Sequence, residues 1–289
     1  MEINGHTRLA GVVAKPIKHS LSPFIHNAAF QALGINGVYL AFEIEANQIS
    51  QITESIRTLD MYGVNISMPY KQSLIEQVDE LTDAARVIGA INTIINNHGK
   101  LIGHNTDGVG FMRSAYELGF KAAADKMVVI GAGGAATAII AQAMLDGVED
   151  LVVFTRRWSG FADEKLRIDQ MSEQLGRKLV LNDLADTALL NQEIASARLL
   201  VNATSVGMGE LKEVTPIPNC SVLTSKHLVI DVVYNPLETE FLKQAAAQGA
   251  TCRNGLFMLL YQAAESFKCW TGQDMPIDVI KAQLEEKIS

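Results

Sequence analysis

The 289-residue sequence has few cysteines and no long apolar run. Its three cysteines, Cys220, Cys252 and Cys269, form no CxxC pair and are odd in number, so they are typical of reduced thiols and not of a disulfide framework. No segment approaches the roughly 18 consecutive apolar residues that span a membrane. The first residues also lack the basic region and apolar run of a signal peptide. We therefore expect a cytoplasmic protein without a membrane partner.

Positive charge is also scarce, with 24 lysines and arginines against 32 acidic residues and a net charge of -8. This balance argues against the broad basic face that binds nucleic acid. The six histidines show neither HExxH nor HxxxH spacing, so no metal site is expected. Apolar residues make up 48% of the chain, which is typical of a globular protein. The predicted partner is a small molecule, and a monomer and a homodimer both stay open.

Short β-rich runs alternate with helical patterns, which predicts an α/β fold of parallel sheets covered by helices. The length favours about two domains. Strands are predicted at 9–14, 38–44, 63–67, 126–130, 151–155, 178–181, 197–202 and 228–233, and a hairpin at 91–96 and 101–104. Helices are predicted at 22–34, 48–59, 108–118, 135–146, 161–175 and from 256 onward. Ser22 followed by Pro23 predicts the N-cap of the first helix.

The strongest local motif begins at Gly131 and reads G-x-G-x-x-A, between a predicted strand and a predicted helix. This is a dinucleotide-binding fingerprint, in which the first glycine permits a tight turn and the second lets the backbone approach a pyrophosphate. The helix N-terminus presents free N–H groups and a positive dipole end to that anion. The strand–turn–helix context favours a cofactor site over an ordinary turn.

The strand after this motif ends in Thr155-Arg156-Arg157-Trp158. An NAD site usually has an acidic residue near this position to bind the ribose 2′-hydroxyl, and no carboxylate occurs here before Asp163. A guanidinium could instead pair with the 2′-phosphate of NADP. Trp158 could cover the adenine or simply pack, and two solvated arginines are the plain alternative. NADP is the predicted cofactor, and NAD stays an alternative.

Polar residues gather after predicted strands in the N-terminal half, where ligands bind in open α/β sheets. They are Ser20, Ser22, Asn65, Ser67, Lys71, Asn92 and Asp107. Taken singly, each has a structural explanation as a helix cap, a turn former or a solvated side chain. Together they supply hydroxyls and amides suited to a polyol, and a lysine and an aspartate suited to proton transfer.

Eight motifs follow one another along the chain. They are S-L-S-P after the first strand, N-I-S-M-P-Y-K, G-A-I-N-T, N-T-D-G, G-A-G-G-A, N-A-T-S-V-G-M, D-V-V-Y-N-P, and the segment from Gly255 to Gln262. In this combination the chain resembles the shikimate and quinate/shikimate dehydrogenase family over nearly its whole length. A series of eight ordered motifs is far more specific than one glycine loop.

The resemblance implies a role for each matching residue, with Lys71 as the catalytic lysine and Asp107 as its paired aspartate. The substrate's hydroxyls and carboxylate are implied to contact Ser20, Ser22, Asn65, Ser67, Lys71, Asn92, Thr106, Asp107, Tyr234 and Gln262. The cofactor is implied to contact Gly131, Ala132, Gly133, Gly134, Ala135, Thr155, Arg156, Arg157, Trp158, Ser205, Val232, Val233, Tyr234, Asn235 and Gly255.

The sequence departs from the family at the ribose end of the cofactor. NADP-strict members commonly read Asn-Arg-Thr where this chain has Thr155-Arg156-Arg157, and NAD-tolerant relatives often carry aspartate at the position of Trp158. The chain follows neither pattern. The resemblance therefore leaves the choice between NADP and NAD open.

The family fold implies an N-terminal α/β substrate domain at 1–108, completed by C-terminal helices at 255–289, and a Rossmann dinucleotide-binding domain at 109–254. The implied reaction is reversible hydride transfer between a nicotinamide and 3-dehydroshikimate or shikimate, in aromatic amino-acid biosynthesis, with no metal. Quinate is a second candidate substrate. The alternatives are a methylene-tetrahydrofolate dehydrogenase-like enzyme, which would need an aromatic platform for its pterin, and a nucleotide sensor, which would need no proton donor.

Overall fold

The computed structural model describes residues 2–288. The chain divides into two compact units, the first formed by Met1–Thr106 with Leu260–Ser289 and the second by Asp107–Leu259. The domain boundaries predicted from the sequence lie between residues 108 and 109 and between residues 254 and 255. The assignment of one domain to the substrate and the other to the cofactor stays a prediction.

The first unit contains a six-stranded mixed sheet. Its N-terminal elements are β1 (Arg8–Ala14), α1 (Ser22–Ala32), β2 (Gly37–Glu43), α2 (Ile52–Thr58), β3 (Gly63–Ile66), β4 (Glu80–Leu81), α3 (Asp83–Ile88), β5 (Thr93–Asn97) and β6 (Lys100–His104). The strand order is β2-β1-β3-β5-β6-β4. Strand β1 is parallel to β2 and β3, whereas β5 is antiparallel to β3 and β6. Strands β5 and β6 form the hairpin predicted at 91–96 and 101–104, because the short turn between them only permits antiparallel pairing, and this hairpin makes the sheet mixed.

The second unit contains a parallel sheet. Its elements are α4 (Asp107–Glu117), β7 (Met127–Ile130), α5 (Gly134–Leu145), β8 (Leu151–Thr155), α6 (Phe161–Leu175), β9 (Leu181–Asp183), α7 (Thr187–Ser196), β10 (Leu199–Asn202), β11 (Leu228–Asp231), α8 (Glu240–Ala247) and β12 (Thr251–Arg253). The strand order is β12-β11-β10-β7-β8-β9, and every neighbouring pair is parallel. Counted from β7, this is the 3-2-1-4-5-6 strand order of the Rossmann fold. Successive strands are added on one side of β7 up to β9 and on its other side from β10 onward, so the strand order reverses between β7 and β10.

Two helices complete the chain, α9 (Leu256–Thr271) and α10 (Ile277–Ile288). Helix α9 begins in the second unit, and its larger part belongs to the first. Among residues 2–288, no helix has the length and apolar character needed to cross a membrane.

Each unit has its own apolar core. In the first unit, Val64, Ile66 and Ile94 belong to a buried cluster that includes residues of β1, β3 and β5. In the second, Val128, Phe154 and other buried residues pack between the sheet and its helices. Strands β7, β10 and β11 are buried throughout, as expected for central strands of a sheet covered on both faces. Such strands hold the loops at their ends in fixed positions.

Three local predictions differ from the structure. The N-cap of α1 is Leu21, and Ser22 is already helical, with its N–H 3.2 Å from Ser20 Oγ. The strand predicted at 178–181 begins only at Leu181, because pairing with β8 starts opposite Val153. The helix predicted at 48–59 is split into a 3-10 turn at Ala46–Gln51 and α2.

Candidate active site

A buried network of amides and hydroxyls connects β3, β5 and α9 in the first unit. Asn65 Nδ2 lies 3.0 Å from both Thr93 Oγ1 and Ser266 Oγ. It also donates to the Asn92 carbonyl at 3.2 Å. The hydroxyls of Thr93 and Ser266 are 2.9 Å apart. All four residues are buried. A buried network with its hydrogen bonds formed holds its members in one arrangement.

Asn92 extends this network to the loop that follows β6. Its Oδ1 accepts from the Thr106 N–H at 2.8 Å, and its Nδ2 donates to Thr106 Oγ1 at 3.0 Å. The Thr106 hydroxyl also lies 3.5 Å from Gln262 Oε1, on α9. Thr106 is fully buried, whereas Gln262 is partly exposed. The network therefore joins Asn65, Asn92, Thr106 and Gln262, four of the predicted substrate residues.

Two aromatic side chains that the sequence did not single out support the network. The Tyr39 hydroxyl donates to Asn65 Oδ1 at 2.7 Å, which fixes the direction of the Asn65 amide. Burial raises the pKa of Tyr39, so this hydroxyl stays protonated, and it also hydrogen-bonds Ser22. The His26 ring stacks on Tyr39 with ring centroids 4.3 Å apart. Burial lowers the pKa of His26 to about 3, so this imidazole is neutral.

The remaining predicted substrate residues of the first unit are partly exposed. Ser20, Ser22, Ser67 and Lys71 all retain accessible surface. The Ser67 N–H donates to the Val13 carbonyl at 2.9 Å, and the Lys71 carbonyl accepts a backbone hydrogen bond of 2.8 Å. The backbone of Ser67 is thus tied to β1 and that of Lys71 to Ile91, while both residues retain accessible surface. Asp107, the first residue of α4, belongs to the second unit and is also partly exposed.

The glycine loop after β7 requires glycine at its first position. Gly131 has φ +113°, and its N–H donates to the Phe154 carbonyl at 2.7 Å. A Cβ at this position would lie 2.9 Å from Thr204 Cγ2 and 3.0 Å from the Ala203 carbonyl oxygen. Both the backbone conformation and the neighbours therefore exclude a side chain.

The rest of the glycine loop borders open space. Cβ atoms at Gly133 and Gly134 would meet no heavy atom within 4 Å. Gly133 is the N-cap residue of α5 and has no side chain, so no N-cap side chain accepts a hydrogen bond from the N–H groups of the first turn. Ala132 is buried and Ala135 is partly exposed. A diphosphate fits this arrangement, because it needs backbone donors, a helix N-terminus and room for its oxygens.

The end of β8 presents two arginines in different settings. Arg157 Nε lies 2.7 Å from Asp183 Oδ2, and its guanidinium lies 5.3 Å from the centre of the Phe161 ring. Arg156 is exposed. The carboxylate of Asp183 offsets the charge of Arg157, so Arg156 is the better candidate for an incoming phosphate. The distinction is invisible in the sequence, because Asp183 lies on a different strand.

Thr155 and Trp158 flank these arginines. Thr155 is buried, and its hydroxyl donates to Glu164 Oε2 at 3.3 Å. Trp158 is 55% exposed, and its ring covers Gly160, where an added Cβ would lie 2.5 Å from the ring. Thr155 therefore supports the loop from within, while Trp158 leaves part of its ring accessible.

The loops after β10 and β11 share a buried carboxylate that the sequence did not single out. Asp231 Oδ1 accepts from Asn202 Nδ2 at 2.9 Å and from the Val233 N–H at 3.0 Å. Its Oδ2 accepts from Thr239 Oγ1 at 2.7 Å. Burial raises the pKa of Asp231 to about 6 against the opposing effect of these hydrogen bonds.

This carboxylate network positions two predicted cofactor segments. Asn202 Oδ1 accepts from the Thr204 hydroxyl at 2.7 Å, which fixes the start of the loop that carries the exposed Ser205. Gly255 packs against the other segment so closely that an added Cβ would lie 1.9 Å from the Val232 carbonyl oxygen. The Gly255 N–H donates to the Val233 carbonyl at 3.0 Å.

Two neighbouring predicted residues extend the second segment. Tyr234 is partly buried, and burial raises its pKa, so its hydroxyl stays protonated at neutral pH. Asn235 is exposed. Both therefore present polar groups beside the backbone that Gly255 holds in place.

Two family models match the chain. The shikimate dehydrogenase substrate binding domain matches residues 12–94, and the shikimate 5′-dehydrogenase C-terminal domain matches residues 255–285. Shikimate dehydrogenase (NADP(+)) of Lactococcus lactis subsp. cremoris is 49% identical over 288 residues, which cover 100% of both chains.

Solved structures are similar over almost the whole chain. Shikimate 5-dehydrogenase from Listeria monocytogenes, in complex with shikimate and NAD, has a TM-score of 0.95 and 42% identity, and the match covers 98% of each chain. Quinate dehydrogenase from Corynebacterium glutamicum, in complex with NAD, has a TM-score of 0.85 and 30% identity, covering 97% of this chain and 99% of that one.

Proposed function

Because the chain belongs to the shikimate dehydrogenase family, we propose that it uses Lys71 and Asp107 for proton transfer as it reduces 3-dehydroshikimate to shikimate. The chain is an NADP-dependent oxidoreductase of aromatic amino-acid biosynthesis, and its reaction is reversible. The full-length match to an NADP-dependent shikimate dehydrogenase carries this conclusion. No observation favours the folate-dependent enzyme or the nucleotide sensor.

The network of the first unit supports recognition of a small polyol. Asn92 and Thr106 are buried and held by reciprocal hydrogen bonds, so they hold the loop after β6 in a fixed position. We assign the outer contacts to residues that stay partly exposed, namely Ser20, Ser22, Ser67 and Gln262. Asn65 is buried and bonded to Tyr39, Thr93 and Ser266, which supports a positioning role for it. Fixed hydroxyl and amide groups discriminate strongly against ligands that leave them unpaired.

Lys71 is the proposed proton donor. During reduction its ammonium group gives a proton to the carbonyl oxygen of the substrate as that oxygen becomes an alkoxide. Asp107 is the aspartate that the family resemblance pairs with this lysine. A lysine in this role donates the proton and also stabilises the developing negative oxygen. NADPH, when bound, would supply the hydride.

The second unit supports the cofactor assignment. We assign the pyrophosphate to Gly131, Ala132, Gly133, Gly134 and Ala135, whose backbone borders open space at Gly133 and Gly134. We assign the 2′-phosphate to Arg156, with Arg157 and Trp158 beside it. The nicotinamide half is assigned to Ser205, Val232, Val233, Tyr234, Asn235 and Gly255.

We predict that quinate is a poorer substrate than shikimate. Quinate carries an extra hydroxyl at ring carbon C1, and the nearby side chains are predicted to be Ser67 and Thr106. Thr106 is fully buried and its hydroxyl already bonds Asn92, so it offers little to a further hydroxyl. Steady-state kinetics that gave quinate the higher kcat/KM would reverse this ranking.

The role of Lys71 is tested by Lys71→Ala. Loss of a general acid typically lowers kcat by roughly 10²–10⁴, whereas the KM for shikimate should change much less. Lys100→Ala is the matched control, because Lys100 is an exposed lysine of the same unit that pairs with Glu80. Both variants should keep the wild-type circular dichroism spectrum. A Lys71→Ala kcat within threefold of the Lys100→Ala kcat would contradict the assignment.

We also propose a cytoplasmic location. All three cysteines are free thiols, and free thiols are typical of reducing compartments. Cell fractionation tests this location, and recovery of the protein with secreted material would contradict it.

The oligomeric state stays a prediction of a monomer or a homodimer, which light scattering of the purified chain distinguishes.

A further inference from the structure

Three potential metal ligands converge in the first unit, on residues that the proposed reaction does not use. His104 is the last residue of β6, and Glu265 and Cys269 lie four residues apart on α9. Their ligand atoms all lie within 4.8 Å of one another, and each residue is partly buried. Side chains four residues apart share one face of a helix. We propose that His104, Glu265 and Cys269 bind one zinc ion.

The donor set favours zinc over harder cations. An imidazole nitrogen, a thiolate sulfur and a carboxylate oxygen are all common zinc ligands, whereas magnesium and calcium prefer oxygen alone. Zinc bonds of about 2.0–2.3 Å in a tetrahedron place the ligand atoms roughly 3.5 Å apart. The atoms would therefore have to close by about 1.3 Å at most, which rotation of the Glu265 and Cys269 side chains can supply. A water molecule would complete the tetrahedron.

The surroundings of His104 also suit a ligand. Its Nδ1 lies 2.9 Å from Thr82 Oγ1, and Thr82 is the N-cap residue of α3. Metal-binding histidines almost always use their second ring nitrogen for such an outer hydrogen bond, which fixes the ring. Nε2 is then the nitrogen assigned to the metal.

The sequence alone does not reveal this site, because His104 is separated from the other two ligands by most of the chain. Spacing motifs detect ligands on one helix or one loop, and here only Glu265 and Cys269 share an element. A bound ion would connect the end of β6 to α9. The zinc ion would take no part in the reaction, because the nicotinamide would supply the hydride.

Cobalt(II) titration of the full-length, chelator-treated chain tests the proposal. Cobalt replaces zinc in such sites, and a cobalt–thiolate bond gives a charge-transfer absorption in the near ultraviolet. We expect this absorption to saturate at one cobalt per chain and to disappear when zinc displaces the cobalt. Cys269→Ser should abolish it, and His104→Ala and Glu265→Gln should each weaken cobalt binding at least tenfold.

Cys252→Ser is the matched control, since Cys252 is another partly buried free thiol, in the second unit. It should keep the wild-type absorption and affinity. Zinc should raise the melting temperature of the wild type and of Cys252→Ser, and leave that of Cys269→Ser unchanged. Should the metal-free Cys269→Ser chain melt early, His104→Gln supplies the same comparison. Absence of saturable binding by the wild type, or a thiolate absorption that survives Cys269→Ser, would overturn the proposal.

Discussion

The two candidate ligand sites differ in how they are built. The first unit uses side chains from β3, β5, the loop after β6 and α9, joined by hydrogen bonds between Asn65, Asn92, Thr106 and Ser266. The second unit uses the backbone of consecutive residues after β7, where Gly131 cannot accept a side chain. A consecutive backbone motif can be read from the sequence, whereas a dispersed network becomes visible only when the chain is folded.

The two sites should also respond differently to substitution. The network side chains of the first site, those of Asn65, Asn92, Thr106 and Ser266, are buried and bonded to each other, so removal of one leaves its partners unpaired. At the arginine end of the second site the side chains are exposed, so their removal should alter cofactor binding and leave stability nearly unchanged. Substitutions at the two sites test this contrast.

Among the variants that compare the two sites, the Arg156→Ala, Arg157→Ala double variant should have the largest effect. Hydrogen bonds to charged groups contribute about 1.5–3 kcal/mol, so the ratio of kcat/KM for NADP over NAD should fall roughly 10- to 150-fold. Arg156→Ala alone should account for most of the loss, because Arg157 already pairs with Asp183. Steady-state kinetics with both cofactors measures the ratio. The assignment fails if NADP and NAD lose activity equally.

Asn92→Ala should affect the first site and its stability together. The change leaves the buried Thr106 N–H without its acceptor, which costs about 1–3 kcal/mol of unfolding free energy. We expect the KM for shikimate to rise about tenfold and the KM for NADP to stay within about twofold. Urea denaturation and steady-state kinetics measure the two effects. An Asn92→Ala chain with wild-type stability would show that the network does not hold this loop.

Gly131→Ala tests whether a collision of the added Cβ with its neighbours, and not only the strain of a positive φ, disturbs the second site. Its Cβ would collide with Thr204 and Ala203, so the loop must move, and we expect the KM for NADP to rise about fivefold. Gly119→Ala is the matched control, because Gly119 also has a positive φ, +91°, yet an added Cβ would meet nothing within 4 Å. That control should lose stability and keep its KM for NADP. Equal KM values in the two variants would contradict the collision.

Asp231→Asn should change how stability depends on pH. The folded pKa of Asp231 is raised to about 6 from an ordinary value of 3.8, so the folded chain holds this proton more tightly than the unfolded chain. The stabilisation is complete below about pH 4 and is lost as the pH rises toward 6. Asn does not titrate, so Asp231→Asn should gain stability relative to the wild type across that interval. Denaturation at pH 4 and pH 7 measures this difference, and a difference independent of pH would exclude a raised pKa.

The sequence predicts the second unit better than the first. Helix α6 has the predicted bounds, and the glycine loop lies between β7 and α5 as expected. Helices α7 and α8 and strand β12 were not predicted, because these short elements depend on packing more than on local pattern. Strand β9 was misplaced because the apolar Leu179 suggests an earlier start, whereas register with β8 decides where pairing begins.

Parts of the first site could not be predicted at all. Tyr39 and His26 appear in the sequence as ordinary core residues of β2 and α1, and only the folded chain brings the Tyr39 hydroxyl to Asn65. Ser266 lies on a helix far along the chain from Asn65, with no local signal to connect the two. The family resemblance predicted roles for Asn65, Asn92 and Thr106, but the hydrogen bonds between them come from the structure.

The most direct test of the proposed function is oxidation of shikimate by the purified full-length chain, with NADP and with NAD in parallel. Formation of reduced nicotinamide follows the reaction, and reactions without shikimate or without protein are the controls. We expect activity with both cofactors and a kcat/KM ratio of NADP over NAD above one. Absence of shikimate oxidation with either cofactor would contradict the function, and a ratio well below one would contradict the assignment of the arginines.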